Sequence, residues 1–234
     1  MYNNSNSTNP YGVLGTLSGV GLQGGARNSV LSRVLGLLGF SFLFTAGGAA
    51  LGTNLGRGAF FPALILSFVA LFGLMFAKER APLNLILLYV FATLEGVTLG
   101  LLLQSYIAAG LGGIVIDAAA TTASITLAAG AYGATTQRNL TGLGSILFIG
   151  LIGVIVASIL GIFIHLAFLH LMISMVAAVI FTGFLVYDFN RVANTPQASQ
   201  GNVILMTVSI YLDIYNLFLN LLFILQSLSG NSRD

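Results

Sequence analysis

A chain of 234 residues in which 57% are hydrophobic and only 6% charged lies far from the roughly 25% charged content of a soluble domain, which excludes a soluble fold. Eight Lys and Arg against six Asp and Glu give a net charge of +2, a thin scatter that carries topology rather than nucleic-acid binding. Cys is absent, so there is no disulfide framework, thiolate metal site or cysteine nucleophile.

Residues 1–29, rich in Asn, Ser and Gly, read as a flexible polar tail without the compact apolar core of a cleavable signal peptide. Residues 30–230 read as the membrane domain. A span takes about 20 apolar residues. With Pro, charges and polar clusters as punctuation, spans are predicted at 34–55, 59–77, 83–104, 107–134, 145–166, 169–190 and 203–228. The third and fourth are divided only by Gln104-Ser105-Tyr106, and the fifth and sixth only by His165 to His170, so six spans stay open beside seven. The fold class is an all-α integral membrane protein, a seven-transmembrane-helix bundle. In that bundle a cytoplasmic N-terminus puts Arg27, Arg33, Lys78, Arg80, Arg138 and Arg191 inside and Arg57 and Arg233 outside, the distribution that the positive-inside rule favours.

Small residues spaced four apart, as in Gly48-xxx-Gly52 and Gly153-xxx-Ala157-xxx-Gly161, predict close backbone packing between helices. The third span carries Glu95 at its middle with Thr98 one turn on, and the fourth carries Asp117 with Thr121 and Ser124. Either acid could line a cation path, and Asp117, near the outer rim, could equally be solvated. His165 and His170 read as interfacial residues rather than metal ligands.

The last two spans carry the strongest signal. Ser209, Asp213, Asn216, Asn220 and Ser227 are spaced 4, 3, 4 and 7 apart, which at about 100° per residue keeps them on one narrow face of the seventh helix. Asp188 closes the sixth span, and the short connection that follows makes the two helices antiparallel neighbours. Asp188 and Asp213 can then meet near one mouth of the bundle, although Asp188 could instead pair with Arg191 one turn on. Two carboxylates about 4 Å apart repel by about 4 kcal/mol at an effective dielectric near 20. They share one proton and sense pH. Their oxygens are also hard ligands suited to Ca²⁺.

Val186-Tyr187-Asp188 and the run Ser209-Ile210-Tyr211-Leu212-Asp213-Ile214-Tyr215-Asn216-Leu217-Phe218 resemble the Bax inhibitor-1 family, also called the transmembrane BAX inhibitor motif family. Similarity continues through Tyr89-Val90-Phe91-Ala92-Thr93-Leu94-Glu95-Gly96 and Asp117. The resemblance implies seven helices with a cytoplasmic N-terminus and, as in bacterial members, a pH-sensitive pair, here Asp188 and Asp213, that gates a Ca²⁺ leak. It also implies a basic latch at the inner end of the second helix, for which Lys78 is the closer match and Arg80 the other candidate there, with Arg191 at the end of the sixth span a further latch candidate.

The function expected is therefore a pH-regulated Ca²⁺ leak in a bacterial inner membrane. Its pore-side residues would be Ser209, Asn216, Asn220, Glu95 and Asp117, with Ca²⁺ as transported ion and no cofactor. The alternative is a non-conducting partner of a membrane-bound protease or stress-response system, an association that the family resemblance also carries. An intramembrane aspartyl protease fits less well, because Asp213 follows Ile210-Tyr211-Leu212 rather than Gly-x-Gly and no Pro-Ala-Leu triplet follows. A retinal protein is excluded, since the only Lys is Lys78, outside the spans.

Overall fold

The computed structural model describes residues 10–163 and 167–230, with side chains from Val30 onward. Seven helices follow one another: α1 (Pro10–Gly52), α2 (Phe60–Ala77), α3 (Leu83–Ala108), α4 (Gly112–Thr135), α5 (Thr141–Phe163), α6 (Ala167–Ala193) and α7 (Gln200–Gly230). Each holds a segment long and apolar enough to cross a membrane, that of α1 being Val30–Gly52. Seven spans, not six, are present, and there is no strand among the described residues. The tail expected over residues 1–29 lies outside the residues whose side chains are described, as do His165 and Arg233.

The break between α3 and α4 falls later than the polar cluster suggests. Gln104, Ser105 and Tyr106 stay in the last turns of α3, and the chain reverses at Gly110, which has a positive φ of 75°. Only glycine adopts that conformation without strain. The amide of Gly110 donates to Ile107 and that of Leu111 to Tyr106, closing the helix end.

In this bundle α7 packs against α1, α3, α4 and α6, whereas α2 and α5 each lean on one principal helix, α3 and α6 respectively. Two seams are built from glycine. On α1, a Cβ placed at Gly48 would strike the backbone carbonyl of Thr93, and one at Gly52 that of Val97. On α3 the relation is reciprocal, with Gly96 against the Thr45 carbonyl and Gly100 against that of Ala49. Missing side chains on both helices let the backbones touch over two turns. The α4–α6 seam repeats the device with Gly133 against the Val186 carbonyl and Gly130 against the Phe189 ring. Asn190 fastens its end by donating to the carbonyls of Gly133 (3.1 Å) and Thr136 (3.3 Å).

The spacing on α5 does not behave as expected. A Cβ on Gly153 would meet open space, and one on Gly161 only the His170 and Ile173 side chains at ordinary or slightly tight distances. The reason is position: α5 is peripheral, so its small residues have no helix backbone opposite them.

Gly96→Ala is expected to cost about 1–3 kcal/mol through overpacking against a backbone that cannot yield, while Gly153→Ala shifts stability by less than about 0.5 kcal/mol. Thermal unfolding of the two purified variants in one detergent checks this, and equal midpoints would contradict the seam assignment.

Candidate functional site

The polar face of α7 meets the end of α6. Asp188 and Asp213 are both buried, at 4% and 6% exposure, and their carboxyl groups lie within hydrogen-bonding reach of each other. Ser209, one turn before Asp213 on α7, donates its hydroxyl to Oδ2 of Asp188. These contacts form because the connection over residues 194–199 is short and α6 and α7 therefore run antiparallel in close contact. Two carboxyl groups in such contact are placed so that one proton can serve both. Oδ2 of Asp213 remains buried with no hydrogen-bond partner, a costly arrangement for a polar atom away from water.

Beside the pair lies a cavity of about 750 Å³ between α5, α6 and α7. Ser209, Asp213, Asn216 and Asn220 line its α7 wall, and His170 and Ser174 its α6 wall. The amides of Asn216 and Asn220 donate to Leu212 and Asn216 carbonyls of their own helix, each at 2.8 Å. The stripe thus faces an open volume, because α5 stands off from α7.

Of the three cations considered for a latch, Arg191 acts on Asp188 electrostatically from one turn away, with its own side chain exposed. Lys78 and Arg80 lie instead at the α2–α3 turn, which docks on the first turn of α7. There the Lys78 carbonyl abuts Gly201 and accepts from Asn84 at 2.7 Å, and Glu79 accepts from Ser199 at 2.9 Å.

Glu95 and Asp117 are not brought to the pair. Asp117 is exposed on α4, as are Thr121 and Ser124, so this second polar face looks outward and not toward the pair. Glu95 is buried at 9% exposure on the far side of α7. Ser67 of α2 donates to its Oε1 at 2.8 Å, and Tyr215 of α7 donates to its backbone carbonyl at 3.2 Å. Tyr215 stacks on Tyr211, with ring centroids 6.0 Å apart, and the Tyr211 hydroxyl bonds Thr45 of α1 at 2.8 Å.

Sequence reasoning missed Ser67, Tyr211, Tyr215 and Asn190. Tyr211 and Tyr215 carried a readable signal. Two tyrosines one turn apart in an apolar helix each need a partner for a buried hydroxyl. Ser67 and Asn190 carried none, since their partners lie far along the chain.

The family described as Inhibitor of apoptosis-promoting Bax1 matches residues 27–231. A protein named Modulator of FtsH protease YccA, from Escherichia coli K12, is 33% identical over 203 residues, covering 86% of this chain and 90% of its own length. An uncharacterized membrane protein of Vibrio cholerae is 35% identical, with 87% and 92% covered. An uncharacterized protein of Helicobacter pylori J99 is 32% identical, with 100% and 99% covered.

Removing the hydroxyl that serves Asp188 leaves a buried acceptor unserved, so Ser209→Ala should lose about 1–3 kcal/mol of stability. Asn220→Ala, which breaks only a bond within α7, should lose about 0.5 kcal/mol or less. Unfolding midpoints in detergent at one pH read both, and an unshifted Ser209→Ala midpoint would remove the hydroxyl from the clasp.

Proposed function

The chain belongs to the Bax inhibitor-1 family, and from that premise we propose that it is a non-enzymatic regulator of a membrane-bound protease in the bacterial inner membrane. The observation that carries this reading is the identity to a named modulator of the FtsH protease, which spans nearly the whole length of both chains. The family match over residues 27–231 includes all seven apolar spans, so the relationship concerns the whole bundle and not one motif. The Asp188–Asp213 clasp then serves as the element whose state sets the relative position of α6 and α7, and through them the surface that a protease would meet.

In proteoliposomes holding FtsH and a membrane-protein substrate, adding the purified chain should change the degradation rate in proportion to its amount. An unchanged rate at several-fold molar excess over the protease would overturn the reading.

A second reading rests on the clasp itself and the cavity beside it. In this reading the chain is a pH-regulated leak for cations, with Ca²⁺ as cargo. It is closed while Asp188 and Asp213 share a proton or while Arg191 holds Asp188, and it opens when the two helices part. Two carboxylates fall short of the six to eight oxygens that Ca²⁺ takes, and among the described residues no group of three or more His, Cys, Asp or Glu could hold a metal ion. Transient passage along Ser209, Asn216 and Asn220 therefore suits the site better than resident binding. Lys78 and Arg80 would serve at most as contacts of the α7 start.

Calcium entry into dye-loaded liposomes should vary with pH for the wild type and lose that variation in both Asp213→Asn and Asp188→Asn. Liposomes as tight as empty ones at every pH would leave only the protease reading.

A further inference from the structure

The side of α7 turned away from Asp213 borders a second cavity. α2 and α7 do not pack along each other, and between them, with α3 as its floor, lies a volume of about 390 Å³. Glu95, midway along α3 (Leu83–Ala108), reaches this cavity together with Thr98, Tyr215 and Asn216. Its other walls are aromatic and aliphatic, with Phe60 and Phe68 on the α2 side and Phe91 on α3. No Lys, Arg or His lines it. Phe68 is 52% exposed, so the cavity opens sideways toward the surrounding bilayer.

A carboxyl group at the depth of mid-span is either protonated or paired with a counter-charge, because hydrocarbon solvates no lone charge. Ser67 supplies the Glu95 carboxyl with a neutral hydrogen bond only, and the Tyr215 hydroxyl goes to the Glu95 backbone carbonyl. The surroundings decide what kind of counter-charge fits. A divalent metal ion needs a shell of oxygens, and this cavity offers one carboxylate among mostly hydrocarbon walls. Aromatic faces attract an organic cation, a carboxylate adds a charge-assisted hydrogen bond, and aliphatic walls favour an apolar body.

We propose that the cavity between α2, α3 and α7 is a binding site for a lipophilic organic ammonium. The ammonium sits on Glu95 and the hydrocarbon part lies against Phe60, Phe68 and Phe91. The ligand enters laterally from the bilayer between α2 and α7. A phospholipid headgroup amine does not suit the site, because headgroups lie about 15 Å from the bilayer midplane and Glu95 is midway along the α3 span. The site is chemically independent of the Asp188–Asp213 clasp and of either function proposed above, although Asn216 borders both cavities.

The test uses the full-length protein in phosphatidylcholine nanodiscs, with radiolabelled 1-aminoadamantane as probe and 1-adamantanol as its uncharged twin. Saturable binding of one amine per chain, above that of empty nanodiscs, is expected, with 1-adamantanol a poor competitor. Glu95→Gln, whose amide oxygen can still accept from Ser67, should weaken binding about tenfold or more. Leu64→Trp, which fills the cavity from α2 and leaves the carboxylate in place, should weaken it likewise. Amine uptake equal to that of empty nanodiscs, equal competition by the alcohol, or undiminished binding by folded Glu95→Gln would each overturn the proposal. Should Glu95→Gln fail to fold, Leu64→Trp decides, and undiminished binding there overturns the site.

Discussion

Hydrocarbon offers a polar group no partner, so every hydroxyl, amide and carboxyl that this chain carries into the bilayer is satisfied within the bundle or left at a cost. Some do so locally. Ser41, Thr122 and Thr207 return their hydroxyls to the carbonyl one turn back on their own helices. The others reach across, and they decide the architecture: Tyr211 to Thr45 ties α7 to α1, Tyr215 to Glu95 ties it to α3, and Ser209 to Asp188 ties it to α6. An α7 at the edge of the bundle would leave those groups facing lipid. Its central position follows from its polar content.

The same constraint separates firm seams from loose ones. Between hydrocarbon-facing helices there is no hydrophobic drive to associate, and close contact comes from backbones that can touch. The α1–α3 and α4–α6 pairs have glycine at the points of contact. α2 and α5 lack an equivalent seam with α7, and each leaves a cavity beside it. Both buried acid sites border these cavities. Carboxyl groups are absent from the glycine seams, where no volume would exist for a counter-ion or a proton carrier.

Much of this was legible in the sequence because membrane spans are long and their punctuation is crude. Seven apolar runs, the α7 stripe and the nearness of Asp188 to Asp213 follow from spacing and one short connection. What spacing withholds is the identity of the neighbour. Gly48-xxx-Gly52 and Gly153-xxx-Ala157-xxx-Gly161 carry the same pattern, yet the first meets a backbone, whereas in the second Gly153 meets open space and Gly161 only side chains. Gly96-xxx-Gly100 carries it too and completes the first seam, but nothing in its own segment says that α1 lies opposite. Glu95 stood out as an intramembrane acid, whereas its partner Ser67 was one serine among many, 28 residues back on another helix. Asp117 stood out for the same reason as Glu95 and turned out to face outward. A polar residue near a span end has water within reach, and mid-span ones do not.

On α7, Asp213 and Tyr215 are two residues apart, which at about 100° per residue sets them on nearly opposite faces. One face belongs to the clasp with α6, the other to the Glu95 cluster, and Asn216 borders the cavity on each side. A helix held by α1, α3, α4 and α6 is costly to displace, since moving it breaks several buried hydrogen bonds together. α2 and α5 are each held mainly by one neighbour, so a shift of either leaves the glycine seams and the α7 bonds to α1 and α6 intact. α5 faces the Asp213 cavity, and α2, through Ser67, is bonded directly to Glu95. The division of labour between a fixed core and two loosely held outer helices follows from where this sequence puts its glycines and where it puts its acids.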